Sequence, residues 1–206
     1  MAEVSCPNIE RREMKTKTSR TGFTLVEILV VIAIIAVLAS IILPVAGSAG
    51  KTAQRRRAQA EMQSIKVAIL QFQADHHYMP WGDPADKASA KVGPDKWATG
   101  EADQENVMKW LTGDNPMAKI YLQIPEKSKK SGTLVFVEPW KDPATGVRMP
   151  YKIGLDRNMD GAVTVAGTGV GLWDGKVVSE KVLVCSSIPP GQSEPMKTFD
   201  VVEENP

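Results

Sequence analysis

The chain of 206 residues has almost no cysteine, almost no net charge and none of the short patterns that mark a catalytic centre. Its two thiols, Cys6 and Cys185, stand near opposite ends, so no disulfide framework organises the fold. Formal net charge is +1, from 25 basic and 24 acidic residues, a balance that provides no global electrostatic case for nucleic acid. There is no Gly-x-Ser-x-Gly, no phosphate-cradling glycine loop and no Cys/His cluster. The carboxylates lack a paired acid–base context. A membrane-anchored hydrolase is the contrasting class, and nothing in these residues favours it.

Charge is also missing locally. From Ile28 to Gly50 no side chain is ionisable, and a helix of that length covers roughly 30 Å of hydrocarbon at 1.5 Å per residue. With 43% hydrophobic residues in all, the length allows one membrane helix and one modest globular domain. A cleaved secretory signal has a shorter apolar core followed by a small-residue cut site. Here the attractive junction, Gly22-Phe23, precedes the apolar run, so a cut there leaves the helix on the mature protein. Lys15, Lys17 and Arg20 before the span favour a cytoplasmic N-terminus, although Lys51 and Arg55-Arg56-Arg57 beyond it weaken that argument.

The stretch Arg20-Thr-Gly-Phe-Thr-Leu-Val-Glu27 resembles the class III signal segment of type IV pilins and of the pseudopilins of type II secretion systems. The resemblance is close over about thirty residues, and most like the major pseudopilin. It implies a prepilin peptidase cut between Gly22 and Phe23, N-methylation of Phe23, and assembly into a helical filament through the N-terminal helix. It further implies other copies, minor pseudopilins and an inner-membrane assembly platform as partners. The expected location is the bacterial inner membrane, single-pass, with residues 1–22 a cytoplasmic leader, 23–50 the membrane and filament-core helix, and 51–206 a periplasmic globular domain. A pilin for adhesion, motility or DNA uptake shares every N-terminal feature and is the alternative. Removal of the leader takes Cys6, five of the basic and three of the acidic residues, leaving 20 and 21 and a mature charge near −1.

Glu27 is the one carboxylate at the head of the span. At mid-bilayer an ionised carboxylate costs ~2.5–3.5 kcal/mol, less near the interface, and such groups usually have a partner. The cut would create one, the α-amino group of Phe23 four residues earlier. The resemblance implies that Glu27 pairs with the amine of a neighbouring subunit and sets filament register; solvation at headgroup depth is the plainer reading. Pro44 lies within the helix and should bend or loosen it. Beyond Gly50, Ala58, Met62, Ile65, Ile69 and Phe72 recur at spacings of three and four, which predicts an amphipathic continuation to about Asp75.

Arg55, Arg56 and Arg57 point about 100° apart, so they predict a solvated collar near anionic headgroups rather than a one-sided DNA stripe. Asp75-His76-His77-Tyr78-Met79-Pro80 closes the helix; adjacent histidines diverge, which speaks against a shared metal. Residues Trp81 to Gly100 read as a loop. Asp103 is the candidate cap of a short helix through Trp110-Leu111 that ends at Gly113, and Asn115-Pro116 starts a brief helical turn toward Tyr121-Leu122. Thr133–Val137, Tyr151–Leu155, Ala162–Val165 and Lys181–Cys185 are β-type runs. The fold class expected is α+β and pilin-like, with a long helix packed on an antiparallel sheet of three or four strands.

Asp156-Arg-Asn158-Met-Asp160-Gly161 has oxygen ligands at alternating positions followed by glycine, as a Ca²⁺ loop begins, with the carbonyl of Ala162 next in the alternation. The twelfth position is Gly167, so the bidentate Glu of an EF-hand is missing, and Asp174 is the nearest carboxylate downstream. Major pseudopilins, which the chain resembles, carry a stabilising calcium in their C-terminal loops. An Asx-rich turn joining two strands explains the same residues, and both readings stand.

Overall fold

The apolar run and the amphipathic repeat both form helix. A computed structural model describes residues 24–86, 92–165 and 175–199, and in it α1 spans Leu25–His76. Two units divide the chain, Met1–Ala46 and Gly47–Pro206. In the first, the described residues are helix from Leu25 onward, and the window Leu25–Ile42 buries nothing within the protein.

In the second unit the predicted stripe becomes the core. Ala58, Met62, Ile65, Ile69 and Phe72 are fully buried, and each aliphatic or aromatic side chain so buried contributes ~1.5–3 kcal/mol of transfer free energy. Helix α1 ends because His77 turns left-handed, at φ 62°, while its N–H still donates to the Gln73 carbonyl. Asp75 then fastens the end, accepting from Lys119 Nζ at 2.5 Å and from Tyr121 Oη at 2.8 Å. His76 stacks on Phe72 with ring centroids 4.3 Å apart, and His77 is exposed.

The sheet has three antiparallel strands in the order β1 (Lys96–Ala98), β2 (Lys152–Leu155), β5 (Val182–Cys185). Strand alternation divides its side chains cleanly. Ala98, Ile153, Leu155, Val182 and Val184 join the core with α1, whereas Leu183 and Cys185 face a second cluster with Val163, Val165, Val178 and Phe199. A two-stranded ribbon, β3 (Val163–Thr164) with β4 (Val177–Val178), supplies part of that second cluster. Gly154 sits opposite Trp97 in the register, and a Cβ there would lie 2.7 Å from the indole. Glycine is thus the residue that lets the ring lie on the strand. Cys185 is buried, and burial pushes its thiol up to about 12.

Several local expectations are corrected. Helix α2 (Glu101–Leu111) is capped by Gly100; Asp103 lies inside its first turn, favourable to the helix dipole but not the cap. Asn115-Pro116 starts a single turn, Ala118 N–H donating to the Asn115 carbonyl at 2.9 Å, which goes no further because the Asn115 amide takes over: its Oδ1 accepts from Met117 and Lys119 N–H, and its Nδ2 donates to the carbonyls of Trp110 and Lys119. The run 133–137 forms only isolated bridges, Phe136 to Lys129 and Val137 to Pro150. The buried side chain of Gln104 explains part of this, since it accepts from Phe136 N–H and donates to the Phe136 and Tyr151 carbonyls. The expected loop 81–100 contains β1.

The arginine triplet is not a uniformly solvated collar. Arg55 donates to the Pro190 carbonyl at 2.9 Å, and Arg57 donates to Glu61 at 2.8 Å and to Ser128 Oγ at 2.7 Å. Arg56 alone of the three is exposed.

Candidate functional site

The first candidate is the helix start. Thr24 precedes α1, and its hydroxyl accepts from the Glu27 N–H at 3.3 Å. The Glu27 carboxylate reaches back to the Thr24 N–H and hydroxyl, each at 3.4 Å. Thr-x-x-Glu is a capping box: two orphan backbone donors at a helix N-terminus are satisfied reciprocally. The negative charge also lies at the favourable end of the helix dipole. Sequence reasoning singled out Glu27 but passed over Thr24, although the spacing of three was a legible signal.

The geometry has a chemical consequence. Glu27 is held at the first turn of α1, exposed, and among the described residues its contacts are all with Thr24. A capping box leaves further lone pairs on the carboxylate, which suits it to a cation from outside the described residues. Gly22 and Phe23 lie outside those residues.

Behind it runs the apolar face. Leu25–Ile42 has a mean hydropathy of 3.1, and among the described residues α1 holds the one segment long and apolar enough to cross a bilayer. Ser40, a polar residue in the span, donates its hydroxyl to the Val37 carbonyl at 2.7 Å. That internal bond lowers the cost of placing it in hydrocarbon. The helical backbone continues through position 44, which proline occupies.

The second candidate is the turn after β2. Asp156 is fully buried; its Oδ2 accepts from Gly161 N–H at 2.9 Å, while its buried Oδ1 has no hydrogen-bond partner. Asn158 Oδ1 accepts from Asp160 N–H, Asp160 Oδ1 accepts from Ala162 N–H, and Asn158 Nδ2 donates to Asp160 Oδ2. Met159 is left-handed at φ 61°. The structure therefore brings Asp156, Asn158, Asp160 and Ala162 into one Asx-rich turn, as the plainer reading expected. Asp174 lies outside the described residues. Among the described residues no three His, Cys, Asp or Glu side chains gather as metal ligands. The orphaned Asp156 oxygen is nevertheless of the type a hard cation takes, and each turn carbonyl or carboxylate oxygen retains a second lone pair.

Two buried polar clusters were not foreseen. Glu61, on the face of α1 that meets the globular core, accepts from Arg57, from Ser128 Oγ at 2.7 Å and from Tyr151 Oη at 2.7 Å. Burial first, and then the Glu61 charge, push the Tyr151 phenol far up. Glu138 is fully buried and accepts from the Ser187 N–H at 2.5 Å and from the Ser187 hydroxyl. Trp140 Nε1 donates to that hydroxyl at 3.1 Å. Both clusters connect segments distant in sequence, so no local pattern announced them.

Residues 17–43 match the family model for the prokaryotic N-terminal methylation motif. No curated protein and no solved structure matches the chain. The head of the chain is thus a prepilin-type methylation segment, which supports a type IV pilin-like protein processed at its N-terminus.

Proposed function

We propose that the chain is a structural subunit of a type II secretion pseudopilus, cut after Gly22, methylated on Phe23 and polymerised through α1 to support protein export. The observation that carries the reading is the capping box at the head of a helix whose next 23 residues, Ile28 to Gly50, are uncharged. It holds the carboxylate in the first turn of α1, four residues along the chain from Phe23, whose amine a cut after Gly22 would free. In the filament Glu27 pairs with the Phe23 amine of a neighbouring copy, and apolar burial along α1 supplies the stabilisation that this pairing directs. Pro44 is the point at which the helix loosens as it leaves the bilayer. A prepilin peptidase, minor pseudopilins and the inner-membrane assembly platform are the partners, and the globular unit is periplasmic. The pseudopilus is preferred to a pilus because the runs Asn115-Pro116 to Pro125 and Asp142-Pro143 to Gly161 also resemble, more loosely than the leader does, the globular part of bacterial pseudopilin-like proteins. A neighbouring secretin and secretion ATPase, rather than a retraction ATPase, would agree with it.

Calcium belongs to the same reading. The orphaned buried oxygen of Asp156 favours an ion held with Asn158, Asp160, the Ala162 carbonyl and Asp174. When bound, the ion would neutralise the buried carboxylate and brace the turn.

The test is Glu27→Gln. The amide keeps the reach to Thr24 and lowers the cost of insertion, so the variant should enter the membrane and be cut normally yet yield no filaments when co-expressed with the assembly machinery. Filaments at the native level would refute the role given to Glu27.

A further inference from the structure

Beyond the end of β1, the strand register brings two aspartates face to face. Lys96 pairs with Leu155, so the next cross-strand pair is Asp95 with Asp156. Pairing continues on both sides of it: Asp156 N–H donates to the Lys181 carbonyl beside β5, and Gly93 N–H donates to the Arg157 carbonyl beside β1. Since the Asp156 N–H points to β5, Asp95 and Asp156 form a non-hydrogen-bonded pair, the closer kind, with Cβ atoms about 4.5–5.5 Å apart on one face of the sheet. Like charges directly opposite one another destabilise a sheet. Each carboxylate is also only half satisfied. Asp156 Oδ2 accepts from Gly161 N–H at 2.9 Å and Asp95 Oδ2 from Thr164 N–H at 3.4 Å, so both grip the same return segment. The Oδ1 atom of each is buried and has no hydrogen-bond partner among the described residues, and Asp156 as a whole is fully buried. Neither aspartate enters an ion pair among those residues. The nearest cations along the strands are turned elsewhere, Arg157 over the Trp81 ring and Lys181 exposed. Asn158 and Asp160, by contrast, are bonded to each other and to N–H groups of the turn. Asp95 also lines an open cleft with Trp97, Asn158 and Thr164, which gives an ion a way in and room for its waters.

We propose that Asp95 and Asp156 are the paired carboxylates of one divalent-cation site that clips β1 to the turn after β2. Calcium is the ion that fits, because it takes carboxylate, carbonyl and water oxygens from separate segments in a flexible geometry, whereas magnesium demands a near-ideal octahedron. Bound there, it gives both bare oxygens a partner and removes the repulsion between them. It also ties a three-residue edge strand to the sheet. The inference rests on the calcium reading of the turn and adds to it a carboxylate from β1, some sixty residues earlier in the chain.

The experiment uses the full chain in detergent micelles near neutral pH, with thermal melts in millimolar calcium and in chelator. Calcium should raise the melting temperature of wild type. Asp95→Asn and Asp156→Asn should each weaken the calcium response about tenfold or more, since the count of charged ligands sets affinity over decades. In chelator Asp95→Asn should melt no lower than wild type, because the amide keeps an acceptor for Thr164 N–H and the repulsion is gone. A second readout is terbium, a calcium mimic whose emission a nearby indole sensitises. Trp97 Nε1 donates to the Thr164 carbonyl, which places its ring beside the residue that Asp95 holds. Trp97→Phe should therefore lose most of the terbium emission and keep the calcium shift. Full emission from Trp97→Phe would put the ion elsewhere and overturn the site. An Asp95→Asn chain that melts well below wild type in chelator would mark Asp95 as structural and overturn it too. A calcium shift lost in Asp156→Asn but intact in Asp95→Asn would overturn this inference alone and leave the ion to the turn. No calcium shift in wild type would overturn the calcium reading and the inference with it.

Discussion

Glu138 should make the globular unit lose stability as pH rises through the acid range. Its carboxyl is fully buried, and burial raises it from the ordinary 4.5 to about 7, against the opposing pull of the two Ser187 hydrogen bonds and the Lys152 charge. A group raised in the folded state contributes stability that is fully present below 4.5, declines between there and about 7, and is gone above. At 1.36 kcal/mol per unit the full swing is ~3 kcal/mol, with the opposing hydrogen bonds and the Lys152 charge already contained in it. The core side chains all lie between Ala58 and Phe199, so a fragment spanning 51–206 serves for urea unfolding followed by tryptophan fluorescence. Wild type should lose a few kcal/mol between pH 4.5 and 7.5. Glu138→Gln, neutral at every pH and still able to accept from the Ser187 N–H, should flatten that segment and be the more stable protein at pH 8. A wild-type profile that is flat or rises over this range, with Glu138→Gln parallel to it, would refute the reasoning.

Glu61→Ala should cost ~3–5 kcal/mol in the same assay, because it takes the carboxylate from Arg57, leaves the buried Tyr151 hydroxyl unpaired and leaves Ser128 with Arg57 alone. A loss below 1 kcal/mol, small beside a typical buried-pair deletion, would mean water replaces the carboxylate. For the turn after β2, calcium should raise the melting temperature of the fragment relative to chelator, and Asp156→Asn should abolish the difference; identical melts would leave the Asx turn as the whole explanation.

Periodicity made the end of α1 legible almost to the residue, about Asp75 expected and His76 found, since both its membrane half and its buried stripe are long-range patterns written in local sequence. Strands β2 and β5 were equally visible within the β-type runs Tyr151–Leu155 and Lys181–Cys185. What escaped was set by tertiary partners. Strand β1 is three residues whose pairing with β2 is the reason they are a strand at all. The run 133–137 has strand composition, but its hydrogen bonds are partly taken by Gln104 and Arg148 side chains. At the helix start, Glu27 was found from its misfit in an apolar segment, while Thr24 was missed because a threonine there needs no explanation until its hydroxyl is placed. The arginine triplet shows the converse error: divergence on a helix does not imply solvation when the surrounding loops reach two of the three side chains.

In the proposed function residues 1–22 are removed and the new N-terminus is the working end of the protein. Intact mass of the chain from cells with an active prepilin peptidase tests it directly. The expected species begins at Phe23 and carries one additional methyl group on its amine, alongside any uncut precursor in the membrane. Only chains that retain Gly22, with no species beginning at Phe23, or chains that begin after the apolar helix, would contradict this.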